Sequence, residues 1–220
     1  MPHKRDPERT RTAILDAAEE VFADQGYEAA SLHEIAERAG VSRGTPSYFF
    51  GSKDGLYHAV LERAFANVWA EIGETHSAAL KGAKPAEAIA ADIEAYLRFL
   101  VDHPRFVRLV QWEALHGGRV LREVNARLTG VENQISLIKR EVERGAIRPV
   151  APDLLLVSLV ALAWFPVAHA DTLLFILGID PRDPKLIDRY VAHLREFVLH
   201  GIAAESDRSQ PAPAVPANDA

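Results

Sequence analysis

Apolar residues recur at intervals of three and four along most of this chain, the period of helices that bury one face. No stretch alternates residue by residue as a half-buried strand would. A first helix is expected over 6–26, opened by Asp6 and Pro7 and buried along Ile14, Ala18, Val21 and Phe22. A second, over 31–40, has Ser31 and Glu34 in capping-box spacing, an inner face of Leu32, Ile35, Ala36 and Ala39, and a stop at Gly40. A short third helix is expected over 42–50. Gly51 and Ser52 then break the chain, and Ser52 caps a long fourth helix. That helix turns Leu56, Val60, Leu61, Ala64, Phe65, Val68, Trp69 and Ile72 inward.

From 73 to 84 the chain reads as a loop. Helices are expected over 85–101 and, past the Asp102-His103-Pro104 break, from 104 to the Gly117-Gly118 pair. Apolar residues at 121, 124, 128, 131, 135, 138 and 142 predict one helix over 120–144, with Gly130 as a soft point and Gly145 closing it. A helix over 153–177 should kink or split at Pro166, and a last helix covers 184–201. Residues 204–220, with prolines among small and polar residues, read as a disordered tail. The fold class is therefore all-α, with about nine helices in two units, 8–68 and 69–203.

From 154 to 170 no residue carries a full charge, so this helix is apolar all round and should be buried on every side. A membrane span is the competing account. The run is shorter than the ~20 residues a bilayer needs and contains Ser158, Pro166 and His169, so no membrane partner is expected.

Composition narrows the chemistry. The 220 residues include no cysteine, which excludes disulfides and thiolate metal sites. Met1 to Arg11 is charged and lacks an apolar run, so it does not read as a secretory signal. The net charge of −6 argues against a nucleic-acid partner at first sight. Placement matters more: Lys4, Arg5, Arg9 and Arg11 crowd the first residues, and Asp16, Glu19, Glu20 and Asp24 lie along the first helix, where they can turn away from DNA. The histidines are scattered, and no zinc-protease, nucleophile-elbow, phosphate-loop or dinucleotide pattern occurs. Neither an enzyme nor a cofactor is expected.

Ala39-Gly40-Val41-Ser42 joins the second and third helices as the turn of a helix-turn-helix does. Glycine permits the left-handed turn, Val41 packs between the helices and Ser42 caps the second of them. The third helix then opens Arg43-Gly44-Thr45-Pro46-Ser47-Tyr48. A cation, hydroxyls and an aromatic suit phosphate oxygens, base edges and thymine methyls. An exposed helical hairpin with a polar face fits the same spacing.

Residues 8–68 closely resemble the DNA-binding domain of the TetR family of bacterial repressors. The likeness rests on Ile14, Phe22, Gly26-Tyr27, Ile35-Ala36, Ala39-Gly40-Val41-Ser42, Gly44-Thr45, Phe50 and Ser52-Lys53. It implies that Ser31 and Thr45 meet phosphate and that Lys53 grips phosphate from the start of the fourth helix. Arg43 and Gly44 would form the recognition-helix tip, with Arg43 set for a guanine and Ser47 and Tyr48 beside it. Where the family usually has leucine and tyrosine this chain has Pro46-Ser47, and Phe49 replaces a frequent His or Tyr. These departures leave the base contacts open, and with them the alternative of a helical ligand-binding or protein-interaction module. The basic N-terminus reads either as an arm on DNA or as a solvated end.

Beyond Trp69 the resemblance is one of layout: Glu113 with Gly117-Gly118, the break at 145–148 and the last helix ending at Gly201. It implies a cytoplasmic, ligand-responsive regulator that binds double-stranded operator DNA and is released by a small-molecule inducer. It also implies a homodimer formed by helices near 153–177 and 184–201. A ligand pocket among helices four to eight would draw on Phe65, Trp69, Tyr96, Phe99, Phe106, Gln111, Trp112, His116, Asn125 and Trp164. Aromatics at helical spacing equally suit a plain core, and the polar members equally suit solvent.

Overall fold

Caps and turns set the elements of the computed structural model, which describes residues 6–79, 84–125, 130–181 and 183–203. Asp6 accepts the Glu8 N–H at 3.0 Å and starts α1 (Pro7–Ala29), whose helical path is interrupted by Gly26 at φ 77°. Ser31 Oγ accepts the Glu34 N–H at 3.1 Å and starts α2 (Leu32–Arg38). The reciprocal half of the expected capping box is not made, because the Glu34 carboxylate instead takes the Gln25 amide at 2.7 Å. Helix α3 (Thr45–Phe50) begins later than expected. The Thr45 N–H reaches back to the Ser42 carbonyl at 2.9 Å and the two hydroxyls share a 2.6 Å hydrogen bond, so a tight turn occupies 43–44.

Helix α4 (Lys53–Ala79) continues past the loop expected from 73. A glycine inside a helix costs about 1 kcal/mol against alanine, too little to end one whose Val68 and Ile72 are buried. Then come α5 (Pro85–Asp102), α6 (Pro104–Leu115), α7 (Arg119–Asn125), α8 (Gly130–Glu143), α9 (Pro152–Ala168), a π-helical turn (Ala170–Leu174) and α10 (Leu186–Ile202). Of the helix expected over 120–144, the described residues 119–125 and 130–143 are helical. Gly130 of α8 lies against the Trp69 indole, where a Cβ would overlap the ring. Position 128 of the expected seam lies outside the described residues, as do Lys4, Arg5 and the 204–220 tail. Helix α9 ends soon after Pro166, which withholds a backbone donor, and the chain widens into the π turn. The described residues hold ten α-helical segments and one π turn, an all-α fold.

Two cores meet within α4. The first joins Ile14, Val21, Phe22, Ile35, Leu56 and Leu61 to Leu109 of α6 and Val120 and Val124 of α7. The second joins Ala64, Val68 and Ile72 to α5 (Ile89, Ile93, Leu97, Leu100), with Phe106, Ile138, Leu159 and Leu194 around them. Each such buried side chain contributes about 1.5–3 kcal/mol, so α4 is anchored at both ends. Within one chain helix α9 is covered on part of its circumference only. Leu159 and Ala163 are covered, but Leu154, Val157 and Phe165 are 64%, 65% and 48% exposed. Among the described residues no helix is long and apolar enough to cross a membrane.

Candidate DNA interface and ligand cavity

Helix α3 is held from one side and open on the other. Pro46 is buried, Phe49 and Phe50 pack on the first core, and Arg43, Gly44, Ser47 and Tyr48 face solvent. Tyr48 is 84% exposed, its ring touching the fold edge-on at Phe49 with the centroids 5.3 Å apart. Pro46 lies in the first turn, where its missing N–H leaves no helix bond unmade. Thr45 is half-buried with its hydroxyl on Ser42, and Ser31 is exposed with its oxygen on the Glu34 N–H. The Arg11 guanidinium stacks on Phe50 at 5.0 Å, bringing a cation of the N-terminal segment to the end of α3.

The acidic face of α1 is turned elsewhere and occupied. Arg63 of α4 holds Asp16 and Glu19, each at 2.6 Å. Arg105 of α6 holds Glu20 at 2.6 Å, and Arg108 holds Asp24 at 3.3 Å. Pairing lowers the negative field these groups would cast toward α3, which is how a chain of net charge −6 presents a cation-led helix.

Lys53, expected on phosphate, is engaged within the chain. Its Nζ donates to the carbonyls of Tyr27, Glu28 and Ala30 at 2.9, 3.3 and 3.1 Å, and sits 4.4 Å from the Tyr27 ring centroid. An ammonium has three protons, and all three are engaged in closing the C-terminal end of α1.

A second set of contacts ties α6 and α7 to the first core. The Trp112 Nε1–H donates to the Ala23 carbonyl at 3.2 Å. Glu113, only 5% exposed, accepts the Leu121 N–H at 3.1 Å and the Tyr57 hydroxyl. Burial, and then the Glu113 charge, push the Tyr57 phenol well above its ordinary range, so it stays a donor. Sequence spacing does not reveal the pairs, which join residues far apart along the chain.

A cavity of about 200 Å³ opens among α4, α5, α6, α8 and α9. Of the residues expected at a ligand pocket, Phe65, Trp69, Tyr96 and Phe106 line it. The others are placed elsewhere. Phe99 is fully buried, stacked on His103 and edge-on to Phe106. The Gln111 amide is held by the Ala168 carbonyl at 2.8 Å, and Trp112 and His116 sit at the α1–α6 junction, His116 with its ring on the Trp112 carbonyl. Trp164 touches Phe106 but faces an outer groove with Gln111, Trp112 and His169. The side chain of Asn125 lies outside what is described. Not expected were Asp92 and Gln134, which line the cavity. Asp92 had a legible signal, an acid set among Ile89, Ile93 and Tyr96 on one helical stripe.

An exposed, cation-led helix on a helix-turn-helix, joined by one long helix to an apolar cavity, defines a helical DNA-binding regulator. Residues 14–60 match the bacterial regulatory proteins of the tetR family, and residues 85–198 match the tetracyclin repressor-like C-terminal domain. The chain is 30% identical over 205 residues to the HTH-type transcriptional regulator RutR of Escherichia coli (strain K12), covering 87% of this chain and 90% of RutR. It is 25% identical over 201 residues to the HTH-type transcriptional repressor NicS of Pseudomonas putida, covering 89% and 93%. The fold is similar to that of a TetR family transcription regulator from Marinobacter aquaeolei VT8, with a TM-score of 0.69 at 19% identity, covering 90% and 97%. The chain belongs to the TetR family: it is a DNA-binding transcriptional regulator and not an enzyme.

Proposed function

We propose that this regulator is a cytoplasmic homodimeric repressor, released from a palindromic operator by a small-molecule inducer. The observation that carries the reading is the reach of α4. Its first turn follows the exposed α3, and Phe65, Val68, Trp69 and Ile72 further along it line the cavity. Lys53 and Phe65 stand about 18 Å apart along the helix axis, so a ligand that tilts α4 at the cavity moves α3 at the far end. Residues 8–68 then read DNA while 69–203 sense the ligand and dimerise.

In this reading Arg43 reaches a guanine, Gly44, Ser47 and Tyr48 approach base edges, and the hydroxyls of Ser31 and Thr45 donate to phosphate. The open faces of α9 and α10, with Leu154, Val157, Phe165 and Phe197 exposed, pair with a second copy. Two recognition helices then meet half-sites ~34 Å apart or a multiple of that. The kinship with NicS, itself a repressor, favours repression. A ~100-fold release from DNA needs about 2.7 kcal/mol of difference in ligand affinity between the two states.

The test is gel-shift binding to the DNA flanking the protein's own gene, with competitor DNA, at two salt concentrations. A competitor-resistant shift that weakens with salt and is lost in Arg43→Ala is expected. An equally strong shift by Arg43→Ala rejects the assignment of the reading helix.

A further inference from the structure

The head of α1 carries cations that no acid holds in an ion pair. Further along the same helix, Arg63, Arg105 and Arg108 hold Asp16, Glu19, Glu20 and Asp24. Arg9 and Arg11 are exposed, and among the described residues neither pairs with a carboxylate.

Arg11 differs from Arg9 in being held. Its guanidinium carbon lies over the Phe50 ring, 5.0 Å from the centroid. Phe50 ends α3 and packs on the first core, and its carbonyl takes the Ser52 N–H at 2.9 Å, so the ring is a fixed platform. A stacked guanidinium gives one flat face to the ring and keeps its N–H groups, which lie in its own plane, for other acceptors. Among the described residues no oxygen accepts any of them. Lys53, by contrast, has its protons engaged by backbone carbonyls.

Helix α3 rises about 9 Å over its six residues, against a major groove ~12 Å wide. With the head of α3 among the bases, a guanidinium at its other end lies at the groove wall, which is phosphate. We propose that Arg11 is a phosphate clamp of the DNA interface: seated on Phe50, it donates to the non-bridging oxygens of one phosphodiester while Arg43 and Tyr48 meet the bases. The planar fork of arginine suits two such oxygens at once, and the stack sets the side chain in place before DNA arrives. The proposal rests on reading α3 as the recognition helix.

The test uses the full chain and two duplexes of one length, the DNA flanking the protein's own gene and an unrelated sequence. Binding is followed by fluorescence anisotropy across salt concentrations. Arg11→Gln should weaken binding to both duplexes alike, by about fivefold at ~0.15 M salt, and lower the salt slope by about one, as loss of one phosphate contact does. Its urea midpoint should stay at the native value, since Arg11 is exposed. Phe50→Leu keeps the cation but removes its platform, so affinity should fall about threefold on both duplexes with the slope kept. Arg9→Gln removes an equal charge two residues away and should have the smaller effect. An unchanged slope in Arg11→Gln overturns the proposal. So does an equal loss from Arg9→Gln, the mark of a diffuse field with no fixed contact, and so does a loss confined to the flanking DNA, which would make Arg11 a base reader. No loss in Phe50→Leu at native stability overturns the role given to the ring. Arg43→Ala, run beside these, separates two failures. If it loses the preference for flanking DNA while Arg11→Gln leaves the slope alone, the reading helix stands and the clamp falls. A preference untouched by Arg43→Ala removes the reading helix, and the clamp with it.

Discussion

The indole of Trp112 covers Gly26. A Cβ on that glycine would stand 3.0 Å from the ring, and the same indole donates to Ala23 at 3.2 Å. One side chain of α6 therefore reads the backbone at the end of α1, where φ is 77°. Gly26→Ala meets two penalties: a backbone at φ 77° and ψ 175°, a region essentially reserved for glycine and costing an L-residue about 1–3 kcal/mol, and displacement of the ring. Trp112→Phe meets one, the loss of a hydrogen bond that leaves Ala23 O without that donor, about 1 kcal/mol. Urea unfolding should rank Gly26→Ala as the more damaging. The reverse order would show that the indole contact, and not the backbone, dominates this junction.

Lys53 offers a test between two roles. If it closes α1, Lys53→Met loses three charge-assisted hydrogen bonds from a half-buried ammonium, and stability should fall by about 2 kcal/mol. The salt dependence of operator binding should stay as in the native protein, since no phosphate contact is removed. A slope reduced by about one unit with unchanged stability would return Lys53 to the DNA backbone.

That case shows what kind of information a sequence carries. Local punctuation was legible: Asp6-Pro7 starts α1, Ser31 caps α2, and Pro104 opens α6, because each acts on neighbours within a turn. The exposed head of α3 was legible for the same reason, as a short helix that leads with polar residues. Lys53, Trp112 and Glu113 were not, since their partners lie at Tyr27, Ala23 and Tyr57, across helix crossings that no spacing rule encodes. The cavity was half legible. Phe65, Trp69 and Tyr96 stood out as aromatics, but an aromatic stripe looks the same whether it lines a void or fills it.

Tyrosine burial sets an alkaline limit on stability. Burial raises the Tyr96 phenol above its ordinary 10.0, and for Tyr57 the Glu113 charge adds to the same burial. The native state keeps protons that the unfolded chain sheds above pH 10.0, so the native state binds more of them there. Stability from these groups is whole below pH 10.0 and is lost as pH climbs through the raised native values. Urea midpoints taken from neutral pH into this range should fall, and Tyr96→Phe should flatten the decline. An unchanged decline would mean that Tyr96 titrates alike in both states.

Tyr48 separates binding from folding. At 84% exposure it has almost no packing to lose, so Tyr48→Ala should leave the unfolding midpoint within about 0.5 kcal/mol of native. Operator affinity should drop by about tenfold or more, as expected for the loss of an aromatic contact on a reading helix. A large fall in stability with affinity intact would put the ring in the fold and take it off the DNA.

The open face of α9 makes the strongest demand on a second copy. Leu154, Val157 and Phe165 are exposed in one chain, and Phe197 of α10 is 58% exposed. A patch of this kind is costly to leave in water and is what a two-fold interface removes. Val157→Asp places a carboxylate where the proposed partner offers apolar surface. An uncompensated buried charge costs about 3–5 kcal/mol, so self-association should weaken by roughly a thousandfold. Sedimentation velocity should then show a dimer for the native protein and a monomer for Val157→Asp at the same concentration. Because one recognition helix holds only one half-site, the monomer should also bind the operator far more weakly while keeping its helical circular dichroism. A native protein that sediments as a monomer, or a Val157→Asp dimer with full operator affinity, would move the interface off α9.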